Sequence, residues 1–403
     1  MRNAYRLSSA IGAHRIPTFA SRETKFGRAH YSWSINAELY LKGLREIRDV
    51  SSIQAPDIYQ HEIAYDVAGI NANVTHLADK PIELLRPMFG RKNVAIIVWE
   101  FAEFSDKAIN GDPRTNQLHM LRQMDDVWCG SSFTQRNLAA VGIGARMLPP
   151  PVAHFITSES ESIDAIPCVA LDSEGMPSAS EERIGDLVAR SQDRPIFLAV
   201  LAPYDLRKNL PALIEGFLES NAAQDGILLI KLVIDNVITT VANINQIVLE
   251  FFNLKVKSEH VVFCGAYLSV EQMNSLYGIS SFYVSAASAE GLNLPLIETM
   301  GRGLPAITPN HTAMADYVSE DRAIVVPARR QPTEGPIHGF VPHLSTTHYP
   351  PTKAAMTTAF DRAIELDEAG RLWLGKRGAE FVRKNFGLKE FEKRVANYER
   401  SAT

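Results

Sequence analysis

The sequence predicts an α/β chain folded as two domains, the second of them a doubly wound parallel sheet. Three observations carry this. The chain has 403 residues, more than one ordinary hydrophobic core organises. Residues 154–193 shift to Ser, Glu, Asp and scattered Pro, as in SESESIDAIP and DSEGMPSASEE, the composition of a boundary. Beyond it, short continuous apolar runs alternate with helix-period segments, as in parallel strands buried on both faces and joined by helices.

In chain order, the first thirty residues set Arg2, Arg6, Arg15, Arg22, Lys25 and Arg28 against one acid, Glu23, and are broken by Gly12 and Pro17. They read as a solvated lead. Contact with a membrane surface or an acceptor is the sharper alternative, and Arg and Ser with few acids is also the composition of a transit peptide. INAELYLKGLREI, within 34–48, has helix period with Leu39, Leu41, Leu44 and Ile47 on one side. Strand-like runs follow near 62–65 and 93–99. Residues 117–129 read as helix turning into strand, and 132–141 as a helix capped by Ser132. Pro149, Pro150 and Pro151 force an extended exit. In the second half, strands fall at 196–201, 227–234, 261–264, 282–285, 306–308 and 323–326. Helices fall near 184–191, 210–220, 244–252, 270–276, 294–301, 353–366, 371–385 and 388–400. Residues 328–352 have neither period and read as a long loop. The domains are therefore placed at 1–152 and 194–385, with a linker over 153–193 and a last helix over 386–403 that packs back on the first domain.

Composition removes several classes. A net charge of −5 argues against broad nucleic-acid binding, which needs a basic excess. Cys129, Cys168 and Cys264 have neither metal-ligand spacing nor the even count of a disulfide framework, which fits a reducing, cytoplasmic setting. No apolar run approaches membrane-spanning length, so any membrane association is expected to be peripheral. GIGARM and GRGLPA lack the third glycine of a dinucleotide fingerprint, and there is no P-loop, H-E-x-x-H, G-x-S-x-G or D-x-D motif.

Chemistry concentrates in SAASAEGLNLPLIETMGRGLPAITPNHTAMAD, residues 285–316. It reads strand, tight loop, helix, glycine stop, strand. Glu290 sits where a strand ends, the place where ligands bind in open α/β sheets. Gly291 permits close backbone approach, and Pro295 suits the first turn of a helix. The amides of residues 291–294 then point outward at a positive helix end, an anion site suited to a diphosphate. Glu298, eight residues after Glu290 and read on the first helical turn, offers two acceptors to a ribose diol. In FLAVLAPYDLRKNLPALIEGF, Arg207 and Lys208 lie between a strand and a helix, where cations suit a diphosphate leaving group.

EGLNLPLIETMGRGLPAITPN resembles the donor-site signature of the family 4 glycosyltransferases, the retaining E-x7-E group of the GT-B fold. The resemblance implies two Rossmann-like domains facing across a cleft. It implies that Glu290 meets the donor sugar, that Gly291, Leu292, Asn293 and Leu294 line sugar and diphosphate, and that Glu298 holds the ribose. The family's E-G-F-G-L is Glu290-Gly291-Leu292-Asn293-Leu294 here; Asn293 tolerates positive φ but is expected to bring a side chain toward the sugar. Lys208 matches the phosphate-binding lysine of an Arg-Lys-Asn segment. Relatives often carry another arginine five or six residues earlier, where this chain has Ala202 and Pro203.

Weaker matches are Lys231 on the strand LLIKLV, and Gly265 and Tyr267 where the base-binding loop of the family lies. Glu100, after VW, stands near where relatives carry a cleft histidine; it reads either as a cleft contact or as a structural carboxylate. His311 reads as a loop histidine. The resemblance covers 93–152 loosely and 194–326 well, and does not reach residues 1–36, where relatives place a Gly-rich loop. The expectation is retaining transfer from a nucleoside diphosphate sugar to a saccharide or lipid-linked acceptor, with no metal or other cofactor required. A non-catalytic subunit of the same fold supporting a partner transferase is the second reading, and a sugar-nucleotide epimerase the third.

Overall fold

The computed structural model describes residues 4–9, 32–54, 73–77, 92–108, 111, 116–170, 182–192, 194–233, 254, 258–333 and 344–400. The strand read at 62–65 and the helix read at 244–252 lie outside these. The first half is a six-stranded sheet of order β2-β1-β3-β4-β5-β6. Its strands are β1 Ala4–Ser9, β2 Asp49–Gln54, β3 Asn73–Leu77, β4 Lys92–Ile97, β5 Asp126–Cys129 and β6 Arg146–Met147, all paired in parallel. Helices α1 Ser32–Ile47, α2 Gln117–Leu121 and α3 Ser132–Ala140 accompany them. Ala4–Ser9 falls in the stretch read as a solvated lead, yet it pairs on both sides. Two apolar residues alternating with Arg6 and Ser8 make a period-2 signal too short to stand out among basic neighbours. In β4 and just after it, Val94, Ile96 and Val98 enter one core cluster and Ala95, Ile97 and Trp99 another. Burial of both faces is why this strand reads as a continuous apolar run.

The second half is an eight-stranded sheet of order β14-β13-β12-β9-β10-β11-β7-β8. Its parallel strands are β9 Ile196–Leu201, β10 Ile227–Leu232, β11 Val261–Cys264, β12 Phe282–Val284, β13 Ala306–Thr308 and β14 Ile324–Val325. The stretch expected to be a linker supplies the two antiparallel strands that end one side of the sheet, β7 Pro167–Ala170 and β8 Glu182–Arg183, and the expected short helix, α4 Ile184–Ser191. Strands of four and two residues carry too few apolar side chains to outweigh the polar residues around them. The helices that follow are α5 Leu210–Leu218, α6 Val270–Gly278, α7 Leu294–Arg302, α8 Lys353–Glu365, α9 Glu368–Asn385 and α10 Leu388–Arg400. The run IFLAVL of β9 divides between the two faces: Phe197, Ala199 and Leu201 pack with α5 and α8, while Ile196 and Leu198 pack with α4 and α6. Phe197 stacks on Phe282 at 5.3 Å and meets Phe360 edge-on at the same separation, geometries favoured between aromatic quadrupoles.

One core cluster crosses between the halves, joining Tyr40, Val98 and Trp128 to Leu292, Met300, Tyr317 and Phe391. Helix α10 lies against the first half. Phe391 meets Tyr40 at 6.3 Å between ring centroids, and Glu399 pairs with Arg48 at 2.7 Å. The aperiodic segment 328–352 contains a small hairpin, β15 Gln331–Pro332 with β16 Thr347–His348, whose strands are too short for a period to register. Among the described residues no helix is long and apolar enough to cross a membrane.

Candidate functional site

After β9 the chain adds β10 and β11 on one side, then crosses to lay β12, β13 and β14 on the other. The winding direction therefore reverses between β9 and β12. Loops leaving the carboxyl ends of two such strands diverge and open a crevice. The loop after β9 carries Arg207 and Lys208, and the loop after β12 carries residues 285–293. Both loops deliver the chain into a helix through the same three residues, Asn209-Leu210-Pro211 into α5 and Asn293-Leu294-Pro295 into α7. Both asparagines adopt the left-handed conformation, at φ 52° and 60°, which asparagine tolerates better than most residues. The proline then falls in the first turn, where its missing N–H costs nothing. This repetition is visible in the sequence and marks both walls of the crevice.

Four of the predicted residues meet there. Lys208 Nζ pairs with Glu290 Oε1 at 2.6 Å. Arg207 is buried and its donors are taken: Nε and Nη2 by Asp205, and Nη1 by the Ala289 carbonyl at 3.2 Å and by Glu100 Oε1 at 3.2 Å. Expected as a second cation for a diphosphate, Arg207 is instead the knot that joins Glu100 of the first half to the loops of the second. Burial opposes its charge, but Asp205, Glu100 and Glu290 outweigh burial and raise its pKa. Glu100 is 4% exposed and its Oε2 has no hydrogen-bond partner among the described residues. Burial raises its pKa, against the pull of Arg207. Three carboxylates, Glu100, Asp205 and Glu290, thus face two cations, and Lys208, partly exposed, gives Glu290 one of its three donors.

The loop ahead of α7 differs from expectation in two ways. Asn293 does not reach toward a ligand: its amide donates to Ser285 Oγ at 3.2 Å, and its carbonyl oxygen accepts from the Tyr283 hydroxyl at 3.4 Å. Left-handed backbone turns this side chain into the core. Gly291 is needed for close approach, but what approaches is the first half, since a Cβ there would stand 2.6 Å from Val98 Cγ1. Leu292 likewise fills the space over Gly130, and its carbonyl accepts from the Tyr317 hydroxyl. The N–H groups of Gly291, Leu292, Asn293 and Leu294 have no acceptor among the described residues, the condition in which the start of a helix takes an anion.

Glu298 lies in the second turn of α7, as the fifth helical residue, because the helix begins at Leu294. It accepts from the Tyr277 hydroxyl at 2.8 Å. Burial raises its pKa, partly offset by that hydrogen bond and by Arg302. Burial raises the pKa of Tyr283, and the charges of Glu290 and Glu298 push it the same way. Lys231 is not brought to this group. It is buried in β10, its ammonium donates to the Leu232 carbonyl at 2.6 Å, and burial lowers its pKa. Gly265 follows β11 as expected, and Tyr267, half-buried, lies within the field of Glu38 on α1.

Other residues here were not read from the sequence. Asp205 holds Arg207 from two positions away, a spacing no motif marks. Thr312 Oγ1 accepts the Glu290 N–H at 3.1 Å. Ser288 accepts the Tyr349 N–H at 2.7 Å and meets His348 Nδ1 at 3.2 Å, and Thr347 binds both oxygens of Glu103 at 3.0 and 2.9 Å. The hairpin thus reaches both halves beside the crevice. His311, read as a loop histidine, is buried and stacked on Tyr349 at 4.9 Å, and burial pushes its pKa down to about 4. The cap of α3 is Ser131 rather than Ser132. No cluster of three or more His, Cys, Asp or Glu able to hold a metal occurs among the described residues.

No protein-family model matches this sequence, and no curated protein does. Solved structures do. The HepE protein of Anabaena, crystallised with UDP, matches at a TM-score of 0.60 and 9% identity over 99% of this chain and all of its own. A sucrose-phosphate synthase from Thermosynechococcus elongatus matches at 0.57 and 15% identity over 99% of each chain. A glycosyltransferase from Rickettsia africae matches at 0.56 and 12% identity over 100% of this chain and 98% of that one. The shared property is the fold: the chain has the two-sheet GT-B architecture of glycosyltransferases.

Proposed function

We propose that the chain transfers a sugar, with retention, from a nucleoside diphosphate sugar to a saccharide or lipid-linked acceptor. The observation that carries this is the Lys208–Glu290 pair at the switch point, directly ahead of a helix whose first amides have no acceptor among the described residues. The diphosphate would take those amides and draw Lys208 away from Glu290. Glu290, freed, would accept from a hydroxyl of the donor sugar, while Glu298 and Tyr277 would meet the ribose. Glu290 is engaged by Lys208 and Glu100 by Arg207, so neither is laid out as a free nucleophile. The proposed step is a front-face displacement. The bond from the anomeric carbon to the phosphate oxygen breaks, the acceptor oxygen bonds to that carbon on the same face, and its proton passes to the departing phosphate. Lys208 and the helix amides stabilise the charge that grows on the leaving group, the contribution fixed donors make best.

The test is slow hydrolysis of UDP-glucose, GDP-mannose and ADP-glucose in the absence of an acceptor. Glu290→Gln and Lys208→Ala should each lower turnover by about 10²–10³-fold, as loss of one preorganised group does. Binding of a nucleoside diphosphate with no turnover of any donor, with or without acceptors, would favour a non-catalytic partner of a transferase. Failure to bind any of the three diphosphates would overturn the reading altogether.

A further inference from the structure

We propose that Thr312 is a positioning residue for Glu290, and that the turn Thr312–Asp316 ties that position to the seating of the first half on the second. The inference rests on the donor-site reading above. Thr312 has φ +48°, in the left-handed region where a β-branched residue is a true outlier. It is also 4% exposed. Such strain persists where the surroundings over-determine it, and glycine would adopt the same backbone freely. What glycine lacks is the hydroxyl, and here Oγ1 accepts the Glu290 N–H at 3.1 Å and also lies 3.4 Å from His311 Nδ1. The next residue completes the grip, since Ala313 N–H donates to the Glu290 carbonyl at 3.3 Å. Both backbone polar groups of Glu290 are thus fixed by consecutive residues of one turn, leaving its carboxylate to Lys208.

The other end of the turn is held by the first half. Asp316 accepts the Ser132 N–H at 2.7 Å and the Ser132 hydroxyl as well. These are the first N–H and first side chain of α3, whose own cap, Ser131, is already spent on Thr134. A carboxylate at a helix N-terminus is favourable both as acceptor and by the helix dipole. A turn anchored at Asp316 on one half and gripping Glu290 on the other transmits the relative seating of the halves to the group proposed to meet the sugar. Its strained end is where that seating is felt.

The variants are Thr312→Val, which keeps the branch and loses the hydroxyl, Thr312→Ser, which keeps the hydroxyl, and Thr312→Gly, which relieves the strain. The probes are UDP, GDP and ADP with UDP-glucose, GDP-mannose and ADP-glucose, read by calorimetry and by donor hydrolysis. Thr312→Val should bind the preferred diphosphate within about twofold of wild type while the kcat of hydrolysis falls about tenfold or more at nearly constant KM, the signature of a contact that matters in the transition state. Thr312→Ser should restore most of that kcat. Thr312→Gly, which frees the backbone angle but removes the same hydroxyl, should hydrolyse as slowly as Thr312→Val. Asp316→Asn should lower kcat in the same direction by a smaller factor. Wild-type kcat in Thr312→Val, or equal loss of diphosphate and donor binding, would overturn the positioning role and leave the donor site standing. A wild-type chain that binds none of the six probes would remove the donor site, and this inference with it.

Discussion

Glu290 and Glu298 are the same residue type eight positions apart, and their surroundings could hardly differ more. Glu290 stands in a loop, its carboxylate on a lysine and its backbone gripped by Thr312 and Ala313. It belongs to a network of five charged side chains drawn from both halves of the molecule. Glu298 stands on a regular helix, takes one tyrosine hydroxyl, and has Arg302 as the cation whose field it feels. Under the proposed function, the contrast separates two kinds of binding surface. At the loop end both cations already face carboxylates, so on the proposed reading a ligand competes with protein partners there. At the helix end, on the same reading, Glu298 is a preformed acceptor, already oriented by one tyrosine hydroxyl.

The sharpest way to break the loop end is at its knot. Arg207→Met would leave Glu100 and Asp205 without their shared cation, and removing one member of a buried ion network costs about 3–5 kcal/mol. Urea unfolding should show that loss. Adding Glu100→Gln should recover part of it, because the uncompensated carboxylate is then gone; a coupling of about 1–3 kcal/mol between the two sites is the expected cycle value. Strict additivity would mean that Glu100 and Arg207 do not act as a pair, and the seating of the halves would then rest on their other contacts, among them Ser132 on Asp316 and Arg48 on Glu399.

A smaller effect comes from His311, also at the loop end, whose stack on Tyr349 anchors the hairpin. Its pKa is pushed down by burial to about 4, from an ordinary 6.5. Between those values the unfolded chain binds the proton and the folded one does not, so stability rises with pH across that window. The contribution is fully present above pH 6.5 and is lost as pH falls toward 4, to an extent on the order of 3 kcal/mol. His311→Phe keeps a ring against Tyr349 and removes the titration. Its urea midpoint should therefore change less between pH 7 and 4.5 than that of the wild type, by roughly half or more of this amount. An unchanged slope would place the acid sensitivity elsewhere.

The helix end and the fold of the second half were legible because regular structure announces itself. Apolar strands of six residues, a proline in the first turn and a glycine at the stop each follow from a local rule, and α10 falls at the predicted residues. The loop end was legible only as a set of names. That Arg207 would be consumed by Asp205 and Glu100 depends on a neighbour in the same loop and on a residue more than a hundred positions away in the chain. Periodicity carries no information about such a pairing. Thr312 left no signal at all, since nothing in PNHTAMAD announces a positive φ, and the two antiparallel strands of the second sheet were hidden by the polar residues between them. Asn293 was half-read. Its backbone angle followed from the residue type, and the direction of its side chain followed from that angle only once Tyr283 and Ser285 were in place.

Glu298 offers the finest test of the contrast, because a preformed acceptor should discriminate without being rearranged. If Glu298 takes a ribose hydroxyl, the wild-type chain should bind a ribonucleoside diphosphate about tenfold more tightly than its 2′-deoxy counterpart, the scale of one hydrogen bond to a charged group. Glu298→Gln keeps the volume and the helix but removes the charge, and should reduce that preference to about two- or threefold. The gain in affinity from adding the sugar to the diphosphate should stay unchanged in this variant, because the proposed function assigns that gain to the loop end. Tyr277→Phe should act in the same direction more weakly, through the loss of a single donor to the carboxylate at 2.8 Å. A variant at Glu298 that lost the sugar-dependent gain along with the ribose preference would mean that the two ends are one cooperative site, and the contrast between a preformed and an exchanging surface would have to be abandoned.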